Sequence, residues 1–442
     1  QAPLIGFFVY RQLGLVGCNI AYMKRFLLLL ILFSCTLFDN DEKQDESPFA
    51  QESVDWPSLA DSPWPMFRHD PQGTGRFDGI GPSGNSVIEL YNPSIGFNMG
   101  SVAVGGNDNI YFAVSAVGDD NCLVICVSTN GTLLWSTDIC EDDNFAEISG
   151  APLLTIDGKV IIGTPRGYIY CLDANSGEVV WNVDTGYPLY SSYITIGIDG
   201  TIYTWNSGSW LEGIPNQLIA LNSDGEILWI NEDNNYGITF NIAGDVLYTN
   251  QGRLIARSSS DGSVLWESTL SRSLYILVDN DDNIYGLNII DNFLYSLFPD
   301  GSERWTIQMD SLTLDHTIAP CIDIDGNIHF IGLKSVGMDY PENYLISVSN
   351  DGSNYIKTYL GESIKYVGTH LVTDNLGIVY AASWDYDWGT VEGVVAVQDG
   401  SIIWEIDGNE RGFYGCPAFL STGELVLLPS ESESPMNARL IQ

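Results

Sequence analysis

Asp224-Gly225-Glu226-Ile227-Leu228-Trp229 sets a tight turn four residues ahead of a wide indole, and the same phrase returns at Asp261-Gly262 to Trp266, Asp300-Gly301 to Trp305 and Asp399-Gly400 to Trp404. Looser copies run from Asn130-Gly131 to Trp135 and from Ser176-Gly177 to Trp181, while Asp351-Gly352 leads to Ile356. The successive glycines stand 37 to 51 residues apart, the period of a propeller blade and not of a helical solenoid.

A second phrase precedes each tryptophan, at Asp157-Gly158, Asp199-Gly200, Asp282-Asn283 and Asp325-Gly326, each leading into a short apolar run. Asp-Gly and Asp-Asn pairs tolerate positive φ and read as hairpin turns between antiparallel strands. One blade is therefore strand A, tight turn, strand B, longer loop, strand C, tight turn, strand D. In the second blade these are expected at Ala151 to Ile156, Val160 to Thr164, Tyr168 to Asp173 and Glu178 to Val183.

Strand B can be found eight times, at Tyr111, Ile161, Tyr203, Tyr248, Tyr285, His329, Tyr380 and Val426, but strand D only seven times after residue 100. The missing strand D stands near the other end of the chain, where Ser83-Gly84-Asn85-Ser86-Val87-Ile88 copies the turn and puts Ile88 in the tryptophan place. The chain stops at Arg439-Leu440-Ile441-Gln442, inside what should be a strand C. The two ends are expected to share one blade, closing the ring and removing open sheet edges. The fold class is all-β: an eight-bladed β-propeller of four-stranded antiparallel blades.

The recurring Trp135, Trp181, Trp229, Trp266, Trp305 and Trp404 need no ligand to explain them, since an indole on the outermost strand fills the wedge that opens between fanning blades. Small residues before each C–D turn, at Cys126, Cys171, Ala220, Ala256, Ser296, Ser347 and Ala396, would let sheets approach closely, which makes Cys126 and Cys171 buried fillers.

Apolar residues at 45%, aromatics at 12% and 45 glycines suit a folded all-β chain. With 57 acidic residues against 17 basic, for a net charge of −40, nucleic acid is excluded as a partner, because no Lys/Arg cluster offsets the repulsion of phosphate.

These phrases resemble PQQ-like repeats, those of the quinoprotein-type propellers, most closely in Leu172-Asp173-Ala174-Asn175-Ser176-Gly177-Glu178-Val179-Val180-Trp181. The lead-in Trp64-Pro65-Met66-Phe67-Arg68-His69-Asp70-Pro71-Gln72-Gly73-Thr74-Gly75 is also similar to that of such proteins. The resemblance spans 64–442 and implies either a quinone-dependent dehydrogenase or a non-catalytic envelope scaffold similar to the propeller lipoprotein of the barrel-assembly machinery. The dehydrogenases use calcium, an aspartate base and, in many members, a disulfide between adjacent cysteines. No Cys-Cys pair exists here, no catalytic residue is carried over, and the scaffold branch is favoured, with neither PQQ nor another cofactor expected.

Met23-Lys24-Arg25, an apolar run from Phe26 to Phe33 and then Ser34-Cys35 read as an export signal too short to span a bilayer. Leu32-Phe33-Ser34-Cys35 resembles a lipobox, which implies lipidation of Cys35; an ordinary secretory cleavage is the alternative. Residues 1–22 read as upstream translation, although residues 3–34 could instead be a longer anchor interrupted by Arg11. Residues 36–63 are polar and acidic and read as a flexible tether, leaving 64–442 as the propeller. Thr36-Leu37 do not resemble an inner-membrane retention signal, so the expected address is the outer membrane, periplasmic or cell-surface.

A Cys122–Cys140 disulfide is expected, because the strands folding about Asn130-Gly131 bring the two regions together in an exported protein. Cys321 and Cys416 read as packing residues. Asp279, Asp281 and Asn283 alternate as a weak calcium set would, but no bidentate glutamate follows and a solvated A–B turn explains them first. The A–B and C–D turns share one face and are tight; the B–C and D–A connections share the other and are longer. That second face reads as the working surface, with Trp205, Trp210, Tyr340, Trp384, Tyr386 and Trp388 as binding candidates. The reading is a non-enzymatic binding scaffold for an envelope protein or peptide, held to the membrane through its lipid anchor only. The alternatives are a PQQ-dependent dehydrogenase and a surface glycan-binding protein.

Overall fold

The computed structural model describes residues 47–84, 86–91, 100–115, 122–139, 150–189, 194–209, 212–232, 236–250, 252–270, 275–336, 341–361, 364, 366–383, 393–407, 413, 415–428 and 438–442. Phe49–Gln442 form one compact unit. The lipidation candidate Cys35, together with Cys140, Trp210, Tyr340, Trp384, Tyr386 and Trp388, lies outside the described residues.

Eight antiparallel sheets succeed one another along the chain, each pairing its strands in the order A-B-C-D. Blade two is Leu153–Leu154, Lys159–Gly163, Tyr168–Asp173 and Val179–Asp184. Strand C falls where the alternation places it, whereas strand A is shorter than expected because only Leu153 and Leu154 pair with Ile161 and Val160. In blade six two short pieces, Thr313–Leu314 and Cys321–Ile322, both pair with strand B at Ile328–Lys334. The last blade joins the ends of the ring: Val87–Tyr91 lies beside Ala438–Ile441, with Val87 opposite Ile441 and Ile88 opposite Leu440, and Ala438–Ile441 continues onto Leu425–Leu427. An N-terminal strand D thus completes a C-terminal blade, and the eight-bladed propeller closes.

The tryptophans occupy the inter-blade wedge in a particular way. A Cβ built on Gly177 would meet the Trp135 ring at 2.5 Å, one on Gly225 Trp181 at 2.7 Å, one on Gly262 Trp229 at 2.8 Å, one on Gly301 Trp266 at 2.7 Å and one on Gly352 Trp305 at 2.5 Å. At these five C–D turns the glycine is therefore the seat for the preceding blade's indole, whereas Gly400 receives Ile356 and Gly131 lies against the Leu90 carbonyl. The indole N–H completes the joint by donating to a carbonyl of the same turn: Trp135 to Ala174 (3.0 Å), Trp181 to Ser223 (2.9 Å), Trp266 to Pro299 (3.1 Å) and Trp305 to Asn350 (2.8 Å). Trp404 donates to Pro82 (3.3 Å), carrying the joint across the closure.

Across its own sheet each tryptophan faces a small residue, Ala220 opposite Trp229 and Cys171 opposite Trp181. Immediately beside that pair the C–D ladder shifts register in blades one to five and seven. Blade six, with Ile356 in place of tryptophan, runs without a shift. A bulge adds twist and re-aims a side chain, and here it accompanies the ring that must reach the neighbouring blade.

Gly225 and Gly200 separate the two reasons for a turn glycine. Both have left-handed φ, +82 and +86, but a Cβ on Gly200 meets nothing within 4 Å. Gly200→Ala should cost only the backbone strain, about 1–2 kcal/mol. Gly225→Ala should lose a further ~1–3 kcal/mol by displacing Trp181, which urea denaturation of the two variants would resolve; equal losses would remove the seat from the account.

Candidate functional site

The ring axis is where the innermost A strands present an unpaired backbone edge. The lead-in segment supplies the missing acceptors. Trp64 O accepts from Val104 N (2.8 Å), Pro65 O from Leu154 N (2.8 Å), Pro71 O from Phe240 N (2.8 Å), Gln72 O from Val278 N (3.1 Å), Thr74 O from Ile322 N (3.0 Å) and Gly75 O from Thr373 N (2.8 Å). These amides belong to blades one, two, four, five, six and seven. Blade three is reached by Trp56 Nε1 and Ser58 Oγ, which donate to the carbonyls of Ile196 and Gly197, and blade eight by Phe77, stacked on Phe419 at 4.6 Å.

The same contacts correct the tether boundary. Residues 49–63 are not a free linker: Gln51 N donates to Ile324 O (2.8 Å), Leu59 bridges Thr155, and Trp56 and Leu59 are buried. Their acidic neighbours face solvent while the apolar side chains and backbone groups are used.

Arg68 lies buried on the axis, Nη1 donating to Ile276 O (2.8 Å) and Nη2 to Pro320 O (3.1 Å) and to the Gly73 carbonyl. Arg68 and His69 both take left-handed φ, 58° and 73°, a conformation non-glycine residues adopt at some cost. Around Arg68 stand groups that burial keeps neutral. The His370 imidazole is pushed down to about 3 by burial and then by the Arg68 charge, and its Nδ1 accepts from Ala319 N (2.9 Å). Burial raises the Cys416 thiol to about 12 and the Cys321 thiol well above its ordinary value. A neutral imidazole already used as an acceptor and two protonated thiols offer no poised base or nucleophile.

The axial cavity beside Arg68, walled by Met66, Phe67, Asp70, Thr195 and Tyr275, measures about 30 Å³. That is the room of one water, about a tenth of the smallest ordinary small-molecule site. This one cavity is therefore too small for a tricyclic quinone.

The A–B turns of blades five to seven carry a repeated buried carboxylate. Asp279 accepts from the amides of Asp281 and Asn283, from Asn283 Nδ2, from Tyr285 O–H (2.6 Å) and from Asn350 Nδ2 (3.1 Å). Asp323 accepts from the Asn327 amide (2.8 Å) and meets His329 Nε2 (3.1 Å), and Asp374 accepts from Tyr380 O–H (3.1 Å). This occupation decides how Asp279, Asp281 and Asn283 are arranged: Asp279 is buried and shared among protein donors, Asp281 is exposed, and Asn283 donates to Asp279 instead of joining it as a ligand. Among the described residues no group of three His, Cys, Asp or Glu is placed to hold a metal.

Of the binding candidates, Trp205 needs correction. Strand B of blade three extends to Asn206, so Trp205 pairs with Leu218 inside the sheet and is only 6% exposed; it cannot present a ring on the loop face. Asn206 ends the strand, its Oδ1 accepting from Gly208 N and Gln217 N. Cys122 is disulfide-bonded, and Ile139 N donates to its carbonyl (2.9 Å), one residue short of Cys140. Cys126, Cys171, Cys321 and Cys416 are free, buried thiols.

Burial alone would raise the Asp323 carboxyl, but the hydrogen bond and charge of His329, with the Asn327 donors, outweigh it and hold the group below its ordinary 3.8. A depressed carboxyl stabilises the fold above its unfolded pKa and loses that contribution as protons are added. Stability should thus fall as pH drops below 3.8, and Asp323→Asn should flatten that limb of the denaturation midpoint against pH; an unchanged slope would exclude the pair as its source.

Residues 120–275 match the family model described as outer membrane protein assembly factor BamB. BamB of Yersinia pestis is 25% identical over 185 residues, 39% of this chain and 46% of that one. The quinoprotein alcohol dehydrogenase PedH of Pseudomonas putida is 25% identical over 136 residues, 30% of this chain and 21% of the enzyme. The matched stretches thus span less than half of either relative. The crystal structure of quinohemoprotein alcohol dehydrogenase from Comamonas testosteroni superposes with a TM-score of 0.61 at 13% identity, over 91% of this chain and 82% of that one. Over residues 120–275 the repeats are thus similar to those of the assembly-factor family model, and the eight-bladed ring is a fold shared with the solved dehydrogenase structure.

Proposed function

We propose that the chain is a non-enzymatic binding scaffold of the bacterial cell envelope, lipid-anchored through Cys35 and facing a partner protein with its B–C and D–A loops. The observation that carries this reading is the filled axis. Where a quinone enzyme would need a cofactor chamber, the lead-in spends its carbonyls on the A strands and leaves about 30 Å³ beside Arg68. The similarity to an outer membrane protein assembly factor supports the same side. A rigid ring suits capture, since it orders no backbone on binding.

The second reading, a quinone dehydrogenase, rests on the similarity to PedH. Incubation with PQQ and calcium, followed by dye reduction with alcohols or sugars, separates the two: no turnover is expected, and quinone-dependent turnover would replace the scaffold reading. For the scaffold itself, affinity capture from native envelopes should lose its specific partner in a Trp384→Ala/Trp388→Ala variant whose thermal midpoint is unchanged. An unaltered set of captured proteins would remove these rings from the contact surface.

A further inference from the structure

We infer that the turn face of blades two and three, on the opposite side of the ring from the loops, is a docking surface for a basic polypeptide segment: lysines or arginines flanking one apolar side chain. Two adjoining grooves define it. One, of about 320 Å³, lies between the A–B turns of the two blades, under Pro57 and Ser58. The other, of about 420 Å³, is walled by the lead-in around Asp55, Asp61 and Pro65. Ile156 belongs to both walls.

Isolated exposed apolar residues need no explanation. Here, however, Ile156 at 59% exposed and Ile198 at 40% flank a concave surface, which is how an apolar anchor is received. The charge around them has one sign. Asp157 and Asp199 line the first groove, and Asp55, Asp61 and Asp78 the second, all exposed. The cations in these walls are committed elsewhere: Lys159 pairs with Asp173 (3.6 Å), and Arg76 is 3% exposed, with Nη2 donating to Glu52 O (2.8 Å). A basic segment would find uncompensated carboxylates at the rim and aliphatic carbon in the groove, whereas an acidic segment, a nucleic acid or an anionic lipid surface would be repelled.

The surface does not depend on the loop-face scaffold reading, and one titration keeps the two apart. The probe is a fluorescein-labelled peptide with a single leucine between two pairs of lysines, followed by anisotropy against the full chain. Serine-for-leucine and glutamate-for-lysine versions of the peptide should both bind about tenfold more weakly or worse. Ile156→Ser/Ile198→Ser should weaken the parent peptide by a similar factor, and Asp61→Asn/Asp199→Asn should weaken it and flatten its salt dependence. Ile290→Ser, at a position 63% exposed on the B–C connection of blade five, should leave binding unchanged, as should Trp384→Ala/Trp388→Ala. Equal affinity for the serine version would reduce the effect to bulk charge and overturn the proposal. So would indifference to Ile156→Ser/Ile198→Ser, or a loss confined to the tryptophan variant, which would leave the loop-face scaffold standing.

Discussion

The ring is built on one contact repeated at five of its joints: an indole from one blade lying against a turn glycine of the next. Sheets fanning from an axis must separate as they go outward, and a wide side chain is needed to fill the gap. An indole spans it only if the turn above carries no Cβ, as at Gly225 over Trp181 (2.7 Å) and Gly352 over Trp305 (2.5 Å). The donated N–H then fixes the height of the ring against that turn, since an unpaired indole N–H in a closed joint would be costly. Blade six tests this logic within the molecule. Ile356 sits against Gly400 at 2.8 Å without a polar handle, and its strand pairs with no bulge. In blade six the bulge is thus absent together with the ring, while in the last blade, where Ile88 holds that place, a shift falls farther along, between Glu89 and Tyr91.

The second constraint works at the inner radius. Closing the outer edges by seats and the ring by Val87–Tyr91 still leaves eight short A strands facing an axial channel. Filling it with chain instead of solvent converts those edges into paired ones, and the lead-in reaches successive blades by turning at Arg68, His69, Gly73 and Gly75, all of left-handed φ. The consequence is chemical as well as mechanical. A buried guanidinium needs acceptors, and carbonyls from Ile276, Pro320 and Gly73 supply them. In that environment His370 stays neutral and the thiols stay protonated, so the centre of the disc is an anchor point.

The blades were legible because their signals are local. Asp-Gly turns, period-two alternation and the spacing of tryptophans all lie within one repeat, and even the shared blade follows from the unmatched strand at Val87 and the unfinished one at Leu440. What escaped is what depends on partners far along the chain. Trp56 and Leu59 sit in a stretch whose composition looks solvated, yet Trp56 bonds to Ile196, separated by 140 positions. A lone Arg68 in the lead-in carries no pattern that would reveal its axial position. Trp205 was misplaced by a boundary: alternation alone does not say that strand B of blade three continues to Asn206, and one or two residues decide between a loop ring and a core ring.

The acidic excess takes on a different meaning once the turns are seen. Asp173, Asp261, Asp300 and Asp351 each accept hydrogen bonds from residues two or three positions on, from Ser176, Ser263, Ser302 and Ser353 respectively, and these bonds hold their carboxyls below the ordinary range. Such aspartates close turns by mimicking backbone geometry, and they remain charged because the turn stabilises the charge. Since every A–B and C–D turn lies on the same side of the ring, turn chemistry that is structural one blade at a time adds up to a negative field on a single face. Asp157 and Asp199, which rim the first groove beside Ile156, belong to that hairpin chemistry, while Asp55, Asp61 and Asp78 of the lead-in add to the same sign of charge, so a partner reading that face would be recognising in part a by-product of the repeat itself.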